Sequence, residues 1–498
     1  MKIKTKAIAA AVLAATLTFS AFPAETDCTV RLTQSVTAHA AFGSANLDEE
    51  TGVLTLRGSV TRSQILMFND VPEVRHIVAE TGTVLPEDCS YLFADTERGG
   101  LRSTSRMAPY FNTVSIDFSK ADTSRVKNME GMFYQSYAKE LDLSGFDTSG
   151  VTNMKDMFKG CQDLETVYVS QKWSMADITS DQSEMFSGCE SIAGGCRTRY
   201  SEMNTGGDFA RIDSDEHPGY FTYGGENYVE GMSLTLDGRI GVNFYTRLNP
   251  KTAKAVLEGP GEAVLYESEP MLSNAMQHDG RYKFTYYVNA TQASAPITLK
   301  LYNTDGQQLD IFNSNMEKDA DKTIEYSVNT YIADTAKYEN TPAVHDLVHA
   351  LDNYCQAAED YFLGTAHYPE VAPAVVIKTN DYNKQFQISL VLNSETELRI
   401  YTESRNVQQL YFGTDPYGLD AEYTADGTQY YSIPLEAYNL RENIGIRIDG
   451  VNYKVCPMDY CALVFDDPDS STVLRMVCAA LYHYGVQAES YRAGMFGA

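Results

Sequence analysis

Ile116-Asp117-Phe118-Ser119-Lys120-Ala121-Asp122-Thr123-Ser124-Arg125-Val126-Lys127-Asn128-Met129-Glu130-Gly131-Met132-Phe133 returns 25 residues later as Leu141-Asp142-Leu143-Ser144-Gly145-Phe146-Asp147-Thr148-Ser149-Gly150-Val151-Thr152-Asn153-Met154-Lys155-Asp156-Met157-Phe158. A third, diverged unit runs from Val167-Tyr168-Val169-Ser170 to Met185-Phe186. Each unit offers a short strand of alternating apolar residues, an Asp-Thr-Ser turn and a helical turn ending in Met-Phe. None of these can bury itself alone, so neighbouring units must stack to complete a core. The carboxylates of Asp122 and Asp147 precede Thr-Ser pairs, where they satisfy backbone donors of a turn.

Periods of this length belong to leucine-rich-repeat-like solenoids, here with a short strand plus a helical turn per repeat. The phrase Asp-Thr-Ser-x-Val-x-Asn-Met-x-x-Met-Phe resembles the repeat of BspA-type and mycoplasma-lipoprotein-type bacterial surface proteins. Met185-Phe186-Ser187-Gly188-Cys189, Ala210-Arg211-Ile212-Asp213 and Gly219-Tyr220-Phe221-Thr222 resemble the way that family closes its array. Gly52-Val53-Leu54-Thr55-Leu56-Arg57-Gly58 resembles its opening strand. The resemblance covers about residues 46–223 and implies a curved repeat surface used for adhesion or protein binding, with no ligand named. The expected parts are an N-terminal cap over 25–84 and a solenoid with its C-terminal cap over 85–224.

The C-terminal half repeats itself on a longer scale. Ser233-Leu234-Thr235-Leu236 through Phe244-Tyr245-Thr246 aligns without a gap to Ser389-Leu390-Val391-Leu392 through Ile400-Tyr401-Thr402. Ala290, Ile297, Leu299 and Leu301 match Ala437, Ile444, Ile446 and Ile448, alternating as half-buried strands do. Leu351, Tyr354, Ala358 and Tyr361 then match Leu481, Tyr484, Ala488 and Tyr491, spacings that lay one apolar stripe along a helix. Two related β-rich modules, A over 228–368 and B over 373–493, are therefore expected, with Pro369 to Pro373 as linker. Many alternating strands favour β-sandwiches, each closed by a helix. The phrase Ser-Leu-x-Leu-x-Gly-x-Ile-Gly-x-Asn-Phe-Tyr resembles modules in exported proteins of gut-type Gram-positive bacteria, which sit beside repeat or carbohydrate-active domains.

At 498 residues the chain exceeds the roughly 250–300 at which single cores stop growing. Lys2, Lys4 and Lys6 precede an apolar run from Ala7 to Phe22, the pattern of a secretory signal peptide over residues 1–24. Removing that segment takes three of the 39 basic residues and none of the 67 acids, leaving a net charge of −31. Such a chain repels nucleic acid and anionic lipid, while proteins, neutral glycans and divalent cations remain open partners. No later run reaches the ~20 apolar residues of a membrane span. Cys28 follows Glu25-Thr26-Asp27 rather than a small apolar triplet, which argues against a lipid anchor. The expected location is secreted or cell-surface associated, without a recognisable covalent anchor.

Candidate chemistry is sparse. His345-Asp346-Leu347-Val348-His349 spaces two histidines one helical turn apart, as zinc ligands require, but a third ligand is not apparent. Cys161 and Cys189 follow Met-Phe by one interval and read as a buried ladder, and Cys355 aligns with Gly485 and reads as packing. Cys456 and Cys461 could bridge if their loop turns back. Asp213-Ser214-Asp215-Glu216 and Asp466-Asp467-Pro468-Asp469 lack the ligand order of a calcium loop and read as solvated loops. Neither a nucleophile elbow nor a phosphate loop nor a dinucleotide fingerprint occurs. No catalytic, cofactor-binding or metal residue is therefore nominated, and the ligand-binding residues stay open. The 34 tyrosines suit binding surfaces. The expected function is an interaction protein rather than an enzyme, adhering through its repeat surface to an unknown protein. The alternatives are cell-wall or host glycan recognition by the C-terminal modules, a structural envelope role and, last, a hydrolase.

Overall fold

The computed structural model describes residues 44–496 apart from 70, 96–110, 112, 237–238, 268, 339–340, 373, 375, 377–385, 393–395 and 411–416. The expected signal peptide, Cys28, the cap residues before 44 and Pro373 lie outside the described residues. The protein is multidomain and mostly β, with two hydrophobic cores among the described residues: one runs from Ala45 to Phe221, the other from Val229 to Ala488.

The first core backs a seven-stranded sheet. A hairpin of β1 (Ala45–Asp48) and β2 (Val53–Leu56) opens it, and helix α1 (Arg62–Leu66) follows, its first turn closed by a reciprocal Thr61–Gln64 capping box. Strands β3 (His76–Ala79), β5 (Ser115–Asp117), β7 (Glu140–Asp142), β8 (Thr166–Val169) and β9 (Phe221–Tyr223) then add in parallel, one beside the next. A short parallel pair of β4 (Thr83–Val84) and β6 (Ala121–Asp122) lies at the turn. Ile77, Ile116, Leu141, Val167 and Phe221 share one register position and all point into the core.

The Met-Phe segment departs from the helical turn expected of it. Its backbone N–H groups are spent sideways: Met129, Gly131 and Phe133 donate to the carbonyls of Asn153, Lys155 and Met157 in the next unit. A helix needs those groups within its own segment. The chain therefore runs there as i→i−3 turns, and a second hydrogen-bonded ladder parallels the sheet. Cys89, Tyr91 and Phe93 donate in the same way to Asn128, Glu130 and Met132, so Cys89–Phe93 is a further unit whose methionines have become Cys89 and Leu92. Each unit contributes one ring to a stack. Phe93, Phe133, Phe158 and Phe186 follow one another at 6.1, 5.8 and 5.4 Å, with interplanar angles falling from 19° to 6°. Asp122 and Asp147 accept the N–H of Ser124 and Ser149 at 2.9 and 3.1 Å, and Thr123 and Thr148 clamp the next unit's backbone. Those carboxyls titrate below their ordinary value because the serine side chains and N–H groups bind the charged form.

The second core joins two units built alike. The first pairs β10 (Tyr228–Leu236), β11 (Ile240–Arg247) and β14 (Tyr282–Val288) in one sheet. Its other sheet runs β13 (Val264–Tyr266), β12 (Lys254–Glu258), β15 (Ile297–Tyr302), β16 (Ile324–Tyr326). Helices α2 (Glu269–Ala275), α3 (Val328–Tyr338) and α4 (Pro342–Leu363) complete it. In the second unit β17 (Gln387–Val391), β18 (Glu397–Tyr401), β22 (Gln429–Pro434) and β21 (Glu422–Tyr423) form one sheet. The order β20 (Tyr417–Gly418), β19 (Val407–Leu410), β23 (Ile444–Ile448), β24 (Val451–Val455) forms the other, followed by α5 (Met458–Asp466) and α6 (Thr472–Phe496).

The registers repeat residue for residue. Leu234 faces Val242 as Leu390 faces Leu398, and Val242 faces Tyr286 as Leu398 faces Ile433. Proline at the first position and Gly364 at φ 70° bound α4, the start and stop a helix favours. Its buried stripe of Leu351, Tyr354 and Ala358 meets the matching stripe of α6, where Tyr354 and Tyr484 stack at 5.6 Å and 8°. Equivalent residues thus touch each other across the contact.

Candidate interaction face

Because side chains alternate along a strand, what the parallel sheet does not bury it presents outward. Register aligns two columns. His76, Ser115, Glu140 and Thr166 form one; Val78, Asp117, Asp142, Tyr168 and Thr222 form the other. All are half-buried except Glu140, which is exposed. Neighbours in a column stand about 4.8 Å apart, so the face is a rigid ruler of side chains rather than a pocket. His76 Nδ1 and Ser115 Oγ lie 2.8 Å apart. Asp117 and Asp142 stand side by side, each accepting from a serine two residues on. Asp142 titrates above the ordinary carboxylate value, mainly because it is buried; Ser144 opposes the shift and the charge of Asp117 adds to it. Burial, reinforced by Glu140 and Asp142, likewise raises the Tyr168 phenol.

At the C-terminal ends of these strands a cleft of 530 Å³ separates the ladder from the first C-terminal unit, with Ser119, Ser144, Ser170, Lys172 and Lys251 among its lining. The two bodies are pinned beside it. Asn249 Nδ2 donates to the carbonyls of Gly224 and Gly225, while Asn227 Oδ1 accepts the Asn249 N–H at 2.7 Å. A side chain at Gly224 would meet Tyr168 Cβ at 2.6 Å, which is why the chain crosses here on glycine.

Other residues singled out by sequence take structural places. His349 is exposed on α4, its Nε2 3.4 Å from Asn353 Nδ2, and among the described residues no group of three His, Cys, Asp or Glu side chains could hold a metal ion. Cys161 and Cys189 are buried, donating to the carbonyls of Phe133 and Phe158 at 2.9 and 3.0 Å. Cys456 and Cys461 are not bridged; the Cys461 thiol meets that of Cys478 on α6 instead. The solvated-loop reading fits Asp215, exposed and 2.6 Å from His278, and Asp467, which caps its own loop. It fails at Asp213, which is buried under four hydrogen bonds. Among the described residues, no helix is long and apolar enough to cross a membrane.

Cys196 is the only half-exposed thiol among the described cysteines. Burial, then the charges of Asp213 and Asp215, push its pKa up to about 11. Since the thiolate is the nucleophile, its alkylation rate should rise about tenfold per pH unit between pH 8 and 10. Peptide-resolved mass spectrometry of iodoacetamide-treated native protein would measure this; a plateau by pH 9 contradicts it.

No curated protein matches the chain. A family described as "Mycoplasma protein of unknown function, DUF285" matches residues 102–200, the stretch that contains the three repeated units, and there the chain is similar to that family.

Proposed function

We propose that the chain is an exported interaction protein, secreted or held at the cell surface, that binds a protein partner through the outward columns of its parallel ladder. Residues 1–24 act as the signal peptide, residues 85–224 form a leucine-rich-repeat-like solenoid behind its 25–84 cap, and the units over 228–368 and 373–493 are β-sandwiches that extend or space it. The observation that carries this reading is the pair of side-chain columns from His76 to Thr166 and Val78 to Thr222. They mix carboxylate, hydroxyl, imidazole and phenol groups on a rigid backbone, and a rigid scaffold with varied side chains suits recognition without an ordering cost. The family matched over 102–200 carries no stated activity, so the reading rests on the face.

The double variant Glu140→Lys/Tyr168→Ala should lose at least tenfold in affinity for a partner captured by the mature wild-type chain from host extracellular proteins or cell-wall fractions. Its Trp173 fluorescence should still report one cooperative unfolding transition, since neither side chain belongs to the buried core. Unchanged affinity would remove the ladder face from the reading. Association with isolated cell walls alone would favour a structural envelope role.

A further inference from the structure

Among the described residues, the second C-terminal unit contains a cavity where its sister places a tyrosine ring. Gln409 on β19 pairs with Ile446 as Leu257 on β12 pairs with Leu299, so the two occupy one position of the duplicated sheet. Leu257 is fully buried, as a core strand position dictates. Gln409 is only 8% exposed and lines a cavity of 620 Å³. In the first unit Tyr286 occupies the matching space, its hydroxyl accepting the Gly261 N–H at 2.8 Å and its ring lying against Gly259. The second unit has Ile433 at that register position. Two differences, Ile for Tyr and Gln for Leu, thus place an amide and a smaller side chain, among the described residues, where the first unit has a ring and an apolar chain.

We propose that this cavity binds a saccharide, with acidic sugars preferred. A pyranose offers an apolar C–H face to Ile433 and vicinal hydroxyls that both donate and accept, matching the C=O and NH₂ of one amide. An acyl chain would leave Gln409 unpaired. Among the described lining residues, Lys454 and Arg492 stand against the one carboxylate of Glu442, in a chain of net charge −28. The Arg492 guanidinium is held 3.6 Å over the Tyr438 ring, which fixes it without neutralising it. The volume lies within the range of about 300–1,000 Å³ typical of ligand pockets.

The test is calorimetric titration of the full mature chain with uronate-containing oligosaccharides and, separately, with neutral gluco-oligosaccharides. Uronates should bind saturably and about tenfold more tightly than neutral sugars. Gln409→Leu, which installs the sister residue, should weaken binding at least tenfold while raising the ligand-free unfolding midpoint, so a loss of binding cannot be read as a loss of fold. Ile433→Tyr should also weaken it, and the Glu140→Lys/Tyr168→Ala variant should bind sugar as wild type. Absence of binding to both sets, or undiminished affinity in Gln409→Leu, overturns the proposal; tighter binding of neutral sugars overturns the preference for acidic ones.

Discussion

Replacing Asp213 by alanine should destabilise the repeat ladder by about 4 kcal/mol, a cost at the upper end for single substitutions. Asp213 is 1% exposed and organises the C-terminal end of the ladder. Its Oδ2 accepts the N–H groups of Cys196 and Thr198 at 2.8 and 3.0 Å; its Oδ1 accepts the Thr198 hydroxyl at 2.6 Å and the Gly219 N–H at 3.1 Å. Alanine leaves three backbone donors and a hydroxyl without their acceptor, and each orphaned donor costs about 1–3 kcal/mol before the structure relaxes. Asparagine should recover only part of the loss, because its NH₂ group must face donors where a carboxylate oxygen accepted them. The measurement is urea unfolding followed by fluorescence of Trp173, the chain's only tryptophan. Its ring packs edge-on to Phe221 at 5.0 Å and its Nε1 donates to the Ala210 carbonyl, so it reports on the ladder while the C-terminal units stay silent. A midpoint within error of wild type would show that the four bonds are dispensable.

Phe158→Ala should cost a similar amount, about 3–5 kcal/mol, for a different reason. Phe158 is fully buried, with Phe133 and Phe186 stacked on either side and Phe221 edge-on at 5.9 Å. Removing an interior ring empties a space that neighbouring turns cannot close. Each turn is tied to the next by lateral hydrogen bonds such as Phe133 N–H to Met157 O and Phe158 N–H to Met185 O. Phe158→Leu should recover about half. The same Trp173 transition reads both variants, and a loss below 1 kcal/mol would mean that the stack is collapsible.

The repeats were legible because stacking forces the same residue type into the same place at fixed intervals, so Asp-Thr-Ser and Met-Phe survive as marks. The unit at Cys89–Phe93 was not legible: its methionines are replaced and its distance to the next unit differs, and only the lateral hydrogen bonds reveal it. Helical turns were expected at Met-Phe because the apolar spacing permits them, but spacing says nothing about which way a backbone N–H points. Asp213 looked like one acid among several, since burial depends on chain segments 6–19 residues away that bring Gly194, Thr198 and Gly219 around it. Apart from Asp117 and Asp142, which recur in the repeat, the outward columns consist of residues with no motif, and they become a face only when register aligns them. The tandem units were visible through the alignment of Ser233–Thr246 with Ser389–Thr402. Gln409 hid there because Val407-Gln408-Gln409-Leu410 breaks the alternation that marks a strand.

The stacking of Tyr354 on Tyr484 has an assembly consequence. A surface that meets its own copy through equivalent residues is the isologous contact of a two-fold homodimer. Carried on one chain, the two copies no longer depend on dilution to find each other, because the connecting segment holds each at an effective concentration on the order of millimolar or above. What would be a bimolecular equilibrium between separate copies is intramolecular here. The two halves need not be identical, so one carries Leu257 and Tyr286 while the other carries Gln409 and Ile433 at the same positions. Duplication here separates the task of holding the pair together from the task of meeting a ligand.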